Sequence, residues 1–349
     1  MMKKFLKKAA LVVAVMTAMS SLAACGGTPA STTPTPSPST SASATPTPEA
    51  TPTPAADPVK VAVILSGPIS DMSWNATAYN GLMAIEKLGA EVSYQENVPV
   101  SSVEDSIRTY ATEGFNLIFL STNSYEEVGK QVAPDFPDVQ FITINGSTTD
   151  GNILSVQIAD AQQGFLMGAI SSVISESKKV GFVGGTEIPP IIKGQAGFKA
   201  GAEYVDSAIG ISSNLTGSMD DVGAAKETAA AMIQAGVDVV SPMANQSSLG
   251  VLEAAQEAGV YAVASGLNQN DVAPDAAVIA VVKDTAIAYV AAYNAFIGGT
   301  LGSETIVMGA TEGVVYLSDW YPAASGISGD AKAKVTQIYQ DLVDGKIAQ

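Results

Sequence analysis

Residues 59–81 read VKVAVILSGPISDMSWNATAYNG, and their order of residue types decides the fold. Apart from Lys60, Val59–Leu65 is a short run of aliphatic and β-branched residues without a turn former, the pattern of a buried strand. Ser66, Gly67 and Pro68 end it. From Asn75 to Leu88 the apolar residues recur at helical spacing. A buried strand, a loop and a helix make one βα unit, the building block of a parallel sheet.

The unit repeats along the chain. Glu91–Gln95, Leu117–Leu120 and Gln140–Ile144 read as further strands, each ended by Gly, Ser, Thr or Asn, with helical stretches near Val103–Thr112 and Tyr125–Val132. A second set repeats the rhythm: Lys179–Val183, Ile209–Leu215, Val237–Ser241 and Val260–Ala264. Helical patterns near Ile192–Val205, Ala224–Ala235 and Leu249–Glu257 separate them. Apolar segments remain at Val278–Val282 and Ile306–Leu317. Two successive arrays of this kind predict an α/β protein of two doubly wound, parallel-sheet lobes. Ligands of such sheets sit beyond the carboxyl ends of the strands, so facing lobes place their strand-end loops around one cleft.

The apolar stretch Ala276–Ile297 approaches the length of a membrane span. Lys283 and Asp284 interrupt it, at a cost of about 2.5 to 3.5 kcal/mol each in hydrocarbon. It therefore reads as a strand followed by a helix.

The 349 residues are 47% hydrophobic and 15% charged, enough for a core and long for a single domain. Met1–Ala24 has the plan of an export signal: Lys3, Lys4, Lys7 and Lys8 precede an apolar run from Ala9 to Met19, then small residues. Its end, Leu22-Ala23-Ala24-Cys25, resembles the bacterial lipobox, which would place a lipid on Cys25. Cys25 is the single cysteine, so no intramolecular disulfide, CxxC redox pair or cysteine-rich zinc site is open to the chain. Gly26–Pro58 is almost wholly Thr, Pro, Ser and Ala. It cannot bury enough apolar surface to fold and reads as a tether, reaching up to about 100 Å at roughly 3 Å per residue.

Net charge is −17, and such acidity repels nucleic-acid phosphates and anionic lipid. The chain contains no histidine, which removes the usual general base of Ser-His and Cys-His hydrolases and the commonest neutral metal ligand. Carboxylate-only or Ser-Lys chemistry stays formally open. No Walker loop, GxSxG elbow or nucleotide GxGxxG stands in a strand-to-helix setting. No cofactor is implied.

The loop Ser66–Gly81 carries the candidate site. Asp71 and Asn75 lie four apart, on one face of a helix start, with Trp74 and Tyr79 offering flat rings nearby. A carboxylate, an amide and rings suit a planar polar ligand. The same residues have a second reading, in which Asp71 or Ser73 caps the helix, Trp74 is core and Tyr79 packs between helix and sheet. Lys283 is similarly open: it reaches the cleft or, the reading its sequence setting favours, pairs with Asp284 in solvent.

Ordered motifs from about Val59 to Ile347 resemble the basic membrane protein family of ABC-transporter binding proteins, which includes purine nucleoside receptor lipoproteins. The opening D-x-S-F-N pattern, followed by an aromatic and glycine, stands here as Asp71, Ser73, Trp74, Asn75, Tyr79 and Gly81. Gly164, Phe165, Leu166 and Gly168 follow, then KVGFVGG at 179–185, then Gly197, Phe198, Ala200 and Gly201. Residues 217–221, GSMDD, resemble the family's G-S-F-x-D. Ala230, Gly236 and Asp238 match a later pattern, and Val282-Lys283 matches its V-K.

The resemblance implies the type I periplasmic-binding fold with three interlobe crossovers. The N-terminal lobe would comprise 59–163 plus about 285–318, and the C-terminal lobe 164–284 plus about 319–349, after a signal at 1–24 and a tether at 25–58. It implies a monomeric, non-enzymatic, lipid-anchored extracytoplasmic receptor that captures a nucleoside and docks on an ABC permease. Asp71 would bond the base edge, Tyr79 and Trp74 would stack, and Lys283 would reach the ligand. Three departures bear on the ligand. Met219 replaces the phenylalanine of G-S-F, Asn145 stands for an aspartate, and G-V-D-x-D-Q has become Ala264, Ser265, Gly266, Leu267, Asn268, Gln269, leaving amides at Asn145 and Asn268 to hold a diol. A sugar, an autoinducer or another polar metabolite is the alternative ligand, and sensing for a membrane signalling partner the alternative role.

Overall fold

The computed structural model describes residues 58–266 and 268–347. The expected signal, the lipidated Cys25, the tether up to residue 57 and Leu267 lie outside them. The chain begins with β1 (Lys60–Ile64) and continues through α1 (Trp74–Lys87), β2 (Glu91–Gln95), α2 (Val103–Thr112), β3 (Leu117–Leu120), α3 (Glu126–Val132), β4 (Gln140–Ile144) and β5 (Ile153–Ile158). β1 reads as near-continuous apolar sequence because both of its faces are covered. Val61, Val63 and Leu65 meet α1, while Ala62 and Ile64 pack with residues of α2.

The chain then enters a second array: α4 (Asp160–Ile174), β6 (Lys179–Gly184), α5 (Pro189–Val205), β7 (Gly210–Leu215), α6 (Val222–Gln234), β8 (Val239–Met243), α7 (Ser248–Ala258), β9 (Tyr261–Ala264) and β10 (Ala277–Lys283). It returns to the first array with α8 (Ala286–Ile297) and β11 (Ile306–Met308), and ends in the second with β12 (Val315–Leu317) and α9 (Gly329–Val343). The sheet orders are β2-β1-β3-β4-β5-β11 and β7-β6-β8-β9-β10-β12. All pairings are parallel except β10 with β12. Three passages between the sheets result, after β5, after β10 and between β11 and β12.

One assignment changes. The segment up to residue 318 was expected with the first lobe, but β12 pairs with β10, Val281 opposite Leu317 and Lys283 opposite Val315. Ile306–Leu317 reads as one apolar segment, yet a turn over Gly309–Gly313 divides it. Its first three residues add to β5 and its last three to the other sheet. Ala276–Ile297 resolves into β10 and α8, and no helix of the described residues is long and apolar enough to cross a membrane.

In each sheet the strand order reverses beside the first strand, between β1 and β3 and again between β6 and β8. Loops leaving neighbouring strands there diverge to opposite faces and open a crevice. α4 lies against α5 at backbone distance. A Cβ on Gly164 or Gly168 would run into the carbonyl oxygens of Gly194 and Phe198, and one on Gly201 into that of Phe165.

Candidate functional site

The loop after β1 is folded by its own polar groups. Asp71 Oδ1 accepts from the backbone N–H of Ser73 and Ala76, and Oδ2 from the N–H and Nδ2 of Asn75, all at 2.9 Å. Asn75 Oδ1 in turn accepts from Gly67 N–H at 3.2 Å. Both residues are 1% exposed, and neither is in the wall of the cavity that Trp74 lines. Asp71 and Asn75, expected at the ligand, are placed by the structure at the start of α1 and not in that wall. The N–H groups of a first helical turn have no partners within the helix, and Asp71 spends its acceptor capacity on them.

Tyr79 is corrected as well. Five residues at 3.6 per turn place it about 140° around α1 from Trp74, so one helix cannot aim both rings at one cleft. Tyr79 packs edge-on against Tyr94 of β2, centroids 5.1 Å apart.

Trp74 is the ring that faces inward. Its Nε1 donates to the carbonyl of Ser121 at 2.7 Å, which pins the indole across the end of β3. It lines a cavity of about 360 Å³, within the range of small-ligand sites, about 300 to 1,000 Å³. The wall comes from strand ends of both sheets. Ser66 and Gly67 follow β1, residues 98–100 follow β2, residues 122–125 follow β3 and Asn145 follows β4. Thr186, Ile188, Pro190 and Ile191 follow β6, residues 217–220 follow β7, Asn245 follows β8 and Lys283 ends β10.

Lys283 does reach the cavity, and its partner is not Asp284. Its Nζ donates to Asp160 Oδ1 at 2.6 Å and stands 4.8 Å from the centroid of the Trp74 ring. Lys283 is 11% and Asp160 2% exposed. Asp284 instead accepts from Ala286 N–H at the start of α8. Burial pushes the Asp160 carboxyl above its ordinary value, while the Lys283 ammonium, Lys193 and the Asn145 amide pull it back. Asn145 sits at φ +60°, a left-handed conformation that asparagine tolerates better than most residues. Its Nδ2 donates to Asp160 Oδ2 at 3.0 Å, and its Oδ1 accepts from Ile158 N–H at 2.6 Å.

The first turn of α4 thereby gathers the three passages between the sheets. Asp160 holds Lys283 at the second. Gln162 Oε1 accepts from Ala310 N–H at 2.8 Å at the third. Gln163 Nε2 donates to the carbonyls of Ser265 and Val281 at 3.1 and 2.9 Å.

Glu126 buttresses the loop after β4. It accepts from the N–H groups of Ser147 and Thr148. Burial opposes its charge, but these hydrogen bonds outweigh burial and hold the carboxyl below its ordinary range.

On the opposite wall stand Met219, its thioether against Gly185, and Asp220. Asp220 is exposed, yet the desolvation it does suffer raises its carboxyl, and the like charge of Asp71 adds to the effect. Asn268 is exposed at φ +54° and outside the cavity wall. The buried residue of that loop is Gln269, whose Oε1 accepts from Ser265 and Gly266 N–H at 3.0 Å. Of the expected site residues, the structure brings together Trp74, Asn145, Met219 and Lys283. It adds Asp160 behind them and Asp220, Thr122–Tyr125 and Asn245 beside them. Asp160 begins a helix after a strand whose apolar run is broken by Ser155 and Gln157 and so gives no clear signal, whereas Asp220 is legible as a carboxylate in a loop after a strand.

Two sheets that turn their strand ends toward one cavity, joined by three passages, define a binding protein of the type I periplasmic fold. The chain belongs to the family described as ABC transporter substrate-binding protein PnrA-like, matched over residues 58–343. Basic membrane protein A2 of Borrelia garinii subsp. bavariensis is 29% identical, covering 73% of this chain and 78% of that protein. A purine-binding protein of Brucella abortus is 28% identical over 76% of each. A transcriptional activator protein, med, of Bacillus subtilis is 26% identical over 80% of this chain and 88% of its own length. Among solved structures, an ABC-transporter solute-binding protein of Aeropyrum pernix superposes with a TM-score of 0.75 at 25% identity, covering 83% of this chain and 93% of that one.

Proposed function

We propose that this chain is an exported, lipid-anchored receptor that captures a nucleoside between its two sheets and delivers it to an ABC permease. The observation that carries the reading is the cavity of about 360 Å³ between the strand ends of both sheets, walled by Trp74, Met219 and Lys283. A planar, polar guest fits such a wall. An indole edge and a thioether supply apolar contact for a base, and the hydroxyls and amides of Ser66, Thr122, Asn123, Asn145 and Asn245 suit a ribose. The purine-binding relative supports this ligand class. The lobes would close on the guest by motion about the three passages at the first turn of α4. Among the described residues of the wall no hydroxyl is hydrogen-bonded to a base, which favours capture over turnover.

The relative named as a transcriptional activator raises a second reading, a regulator of transcription. A net charge of −17 opposes direct binding to nucleic acid, so the receptor reading is preferred.

Isothermal calorimetry with a panel of nucleosides and bases tests the ligand. Heat with at least one nucleoside is expected, and silence across the panel would end this reading. Trp74→Ala should weaken binding roughly five- to a hundredfold, the worth of one base–aromatic contact of about 1 to 3 kcal/mol. The anchor is checked by cell fractionation: wild type is expected in the membrane fraction, and Cys25→Ser should not be retained there.

A further inference from the structure

We propose that Asp220 reads the edge of the bound base, selecting a guest that presents two adjacent N–H donors to its carboxylate. The inference rests on the nucleoside reading and assigns the donor-reading role to the second sheet, in place of Asp71.

Two charged side chains line the cavity, Lys283 and Asp220. The Lys283 ammonium is taken by Asp160 at 2.6 Å. Asp220 uses its backbone N–H on Ser218 Oγ at 3.1 Å, while its carboxylate has no hydrogen-bond or ion-pair partner among the described residues. Exposed on the loop after β7 beside Met219, it belongs to the same cavity wall as Met219 and Trp74, between which a flat guest would lie. Asp71, whose charge reaches Asp220, adds negative potential there and has no acceptor capacity left to give.

An ionised carboxylate only accepts hydrogen bonds. Guanine offers N1–H and N2–H side by side, one for each oxygen. Adenine offers an N6–H beside the N1 lone pair, which an ionised carboxylate repels. An asparagine side chain, with one acceptor and one donor, fits the adenine edge instead.

Calorimetry at pH 7.5 on the wild-type protein and on Asp220→Asn, each with guanosine and with adenosine, tests this. Wild type should bind guanosine roughly tenfold or more tightly than adenosine, the difference between charge-assisted and mismatched pairing. Asp220→Asn should lose that preference or reverse it. Its urea midpoint should match wild type or rise slightly, because the carboxylate has no partner to lose and is repelled by Asp71. A wild-type preference for adenosine, or the same ratio in both proteins, overturns the proposal while leaving the nucleoside reading intact. No heat with any nucleoside overturns both.

Discussion

Replacing Lys283 by methionine isolates the ion pair at the centre of the site. Methionine approximates the volume of the lysine stem, so packing over Trp74 is kept while the ammonium is lost. Asp160 is left 2% exposed, with the Asn145 amide at 3.0 Å as its remaining side-chain donor. Removing one partner of a buried pair costs about 3 to 5 kcal/mol. The surviving Asn145 bond places the expected loss near the lower limit, about 3 kcal/mol. At about 2 to 4 °C per kcal/mol for a large domain, Tm should fall by roughly 6 to 12 °C. Urea unfolding followed by circular dichroism measures the free-energy loss, and a thermal scan the shift in Tm.

The pH dependence has a definite sign. Burial raises the Asp160 carboxyl and Lys283 opposes the rise, so the variant's folded-state value climbs further above the ordinary 3.8. A carboxyl that holds its proton more tightly when folded gains stability as pH falls through the folded value, until the unfolded value is reached. The deficit of Lys283→Met should therefore shrink on acidification from pH 8 to pH 5. The double variant with Asp160→Asn should recover at least about 1 kcal/mol of the loss, since no charge is then stranded. A loss below about 1 kcal/mol for Lys283→Met, or a double variant as unstable as the sum of the singles, would refute the reasoning.

Asp71→Asn keeps the shape of the α1 cap and removes its charge, so it should cost about 1 to 2 kcal/mol in urea unfolding; an unchanged midpoint would contradict the capping role. Glu126 has a folded-state carboxyl below its ordinary 4.5, so its contribution is present above that value and is lost as pH falls through the lower, folded one. Glu126→Gln should flatten the acid limb of the stability curve, and a superimposable limb would count against the assignment. Gly168→Ala adds a methyl where the Phe198 carbonyl already stands, so α4 and α5 must separate. A loss of about 1 to 3 kcal/mol is expected, and a gain in helix stability without loss would mean that the helices are farther apart.

The βα rhythm was legible because most buried strands are short, mainly apolar runs and most helices carry a stripe. β5 escaped notice because Ser155 and Gln157 interrupt it, although its pairing with β4 and β11 buries all but one of its residues. α4 escaped because it is covered on several sides: twelve of its fifteen residues are buried, so it shows no polar face from which a helical period could be read.

By itself, the chain's local chemistry determined the alternation of strands and helices, the loops that would border a cleft, and Trp74 and Lys283 as residues worth watching. These follow from burial period and turn formers, which act over a few residues. Tertiary structure decided which member of each loop meets the cavity. The helical twist sends Tyr79 away from Trp74, the unpaired N–H groups of α1 claim Asp71, and Lys283 takes a carboxylate 123 positions earlier. That last choice depends on two passages between sheets meeting in space, because an ammonium leaving water goes to the buried charge that stands beside it and not to the neighbour in sequence.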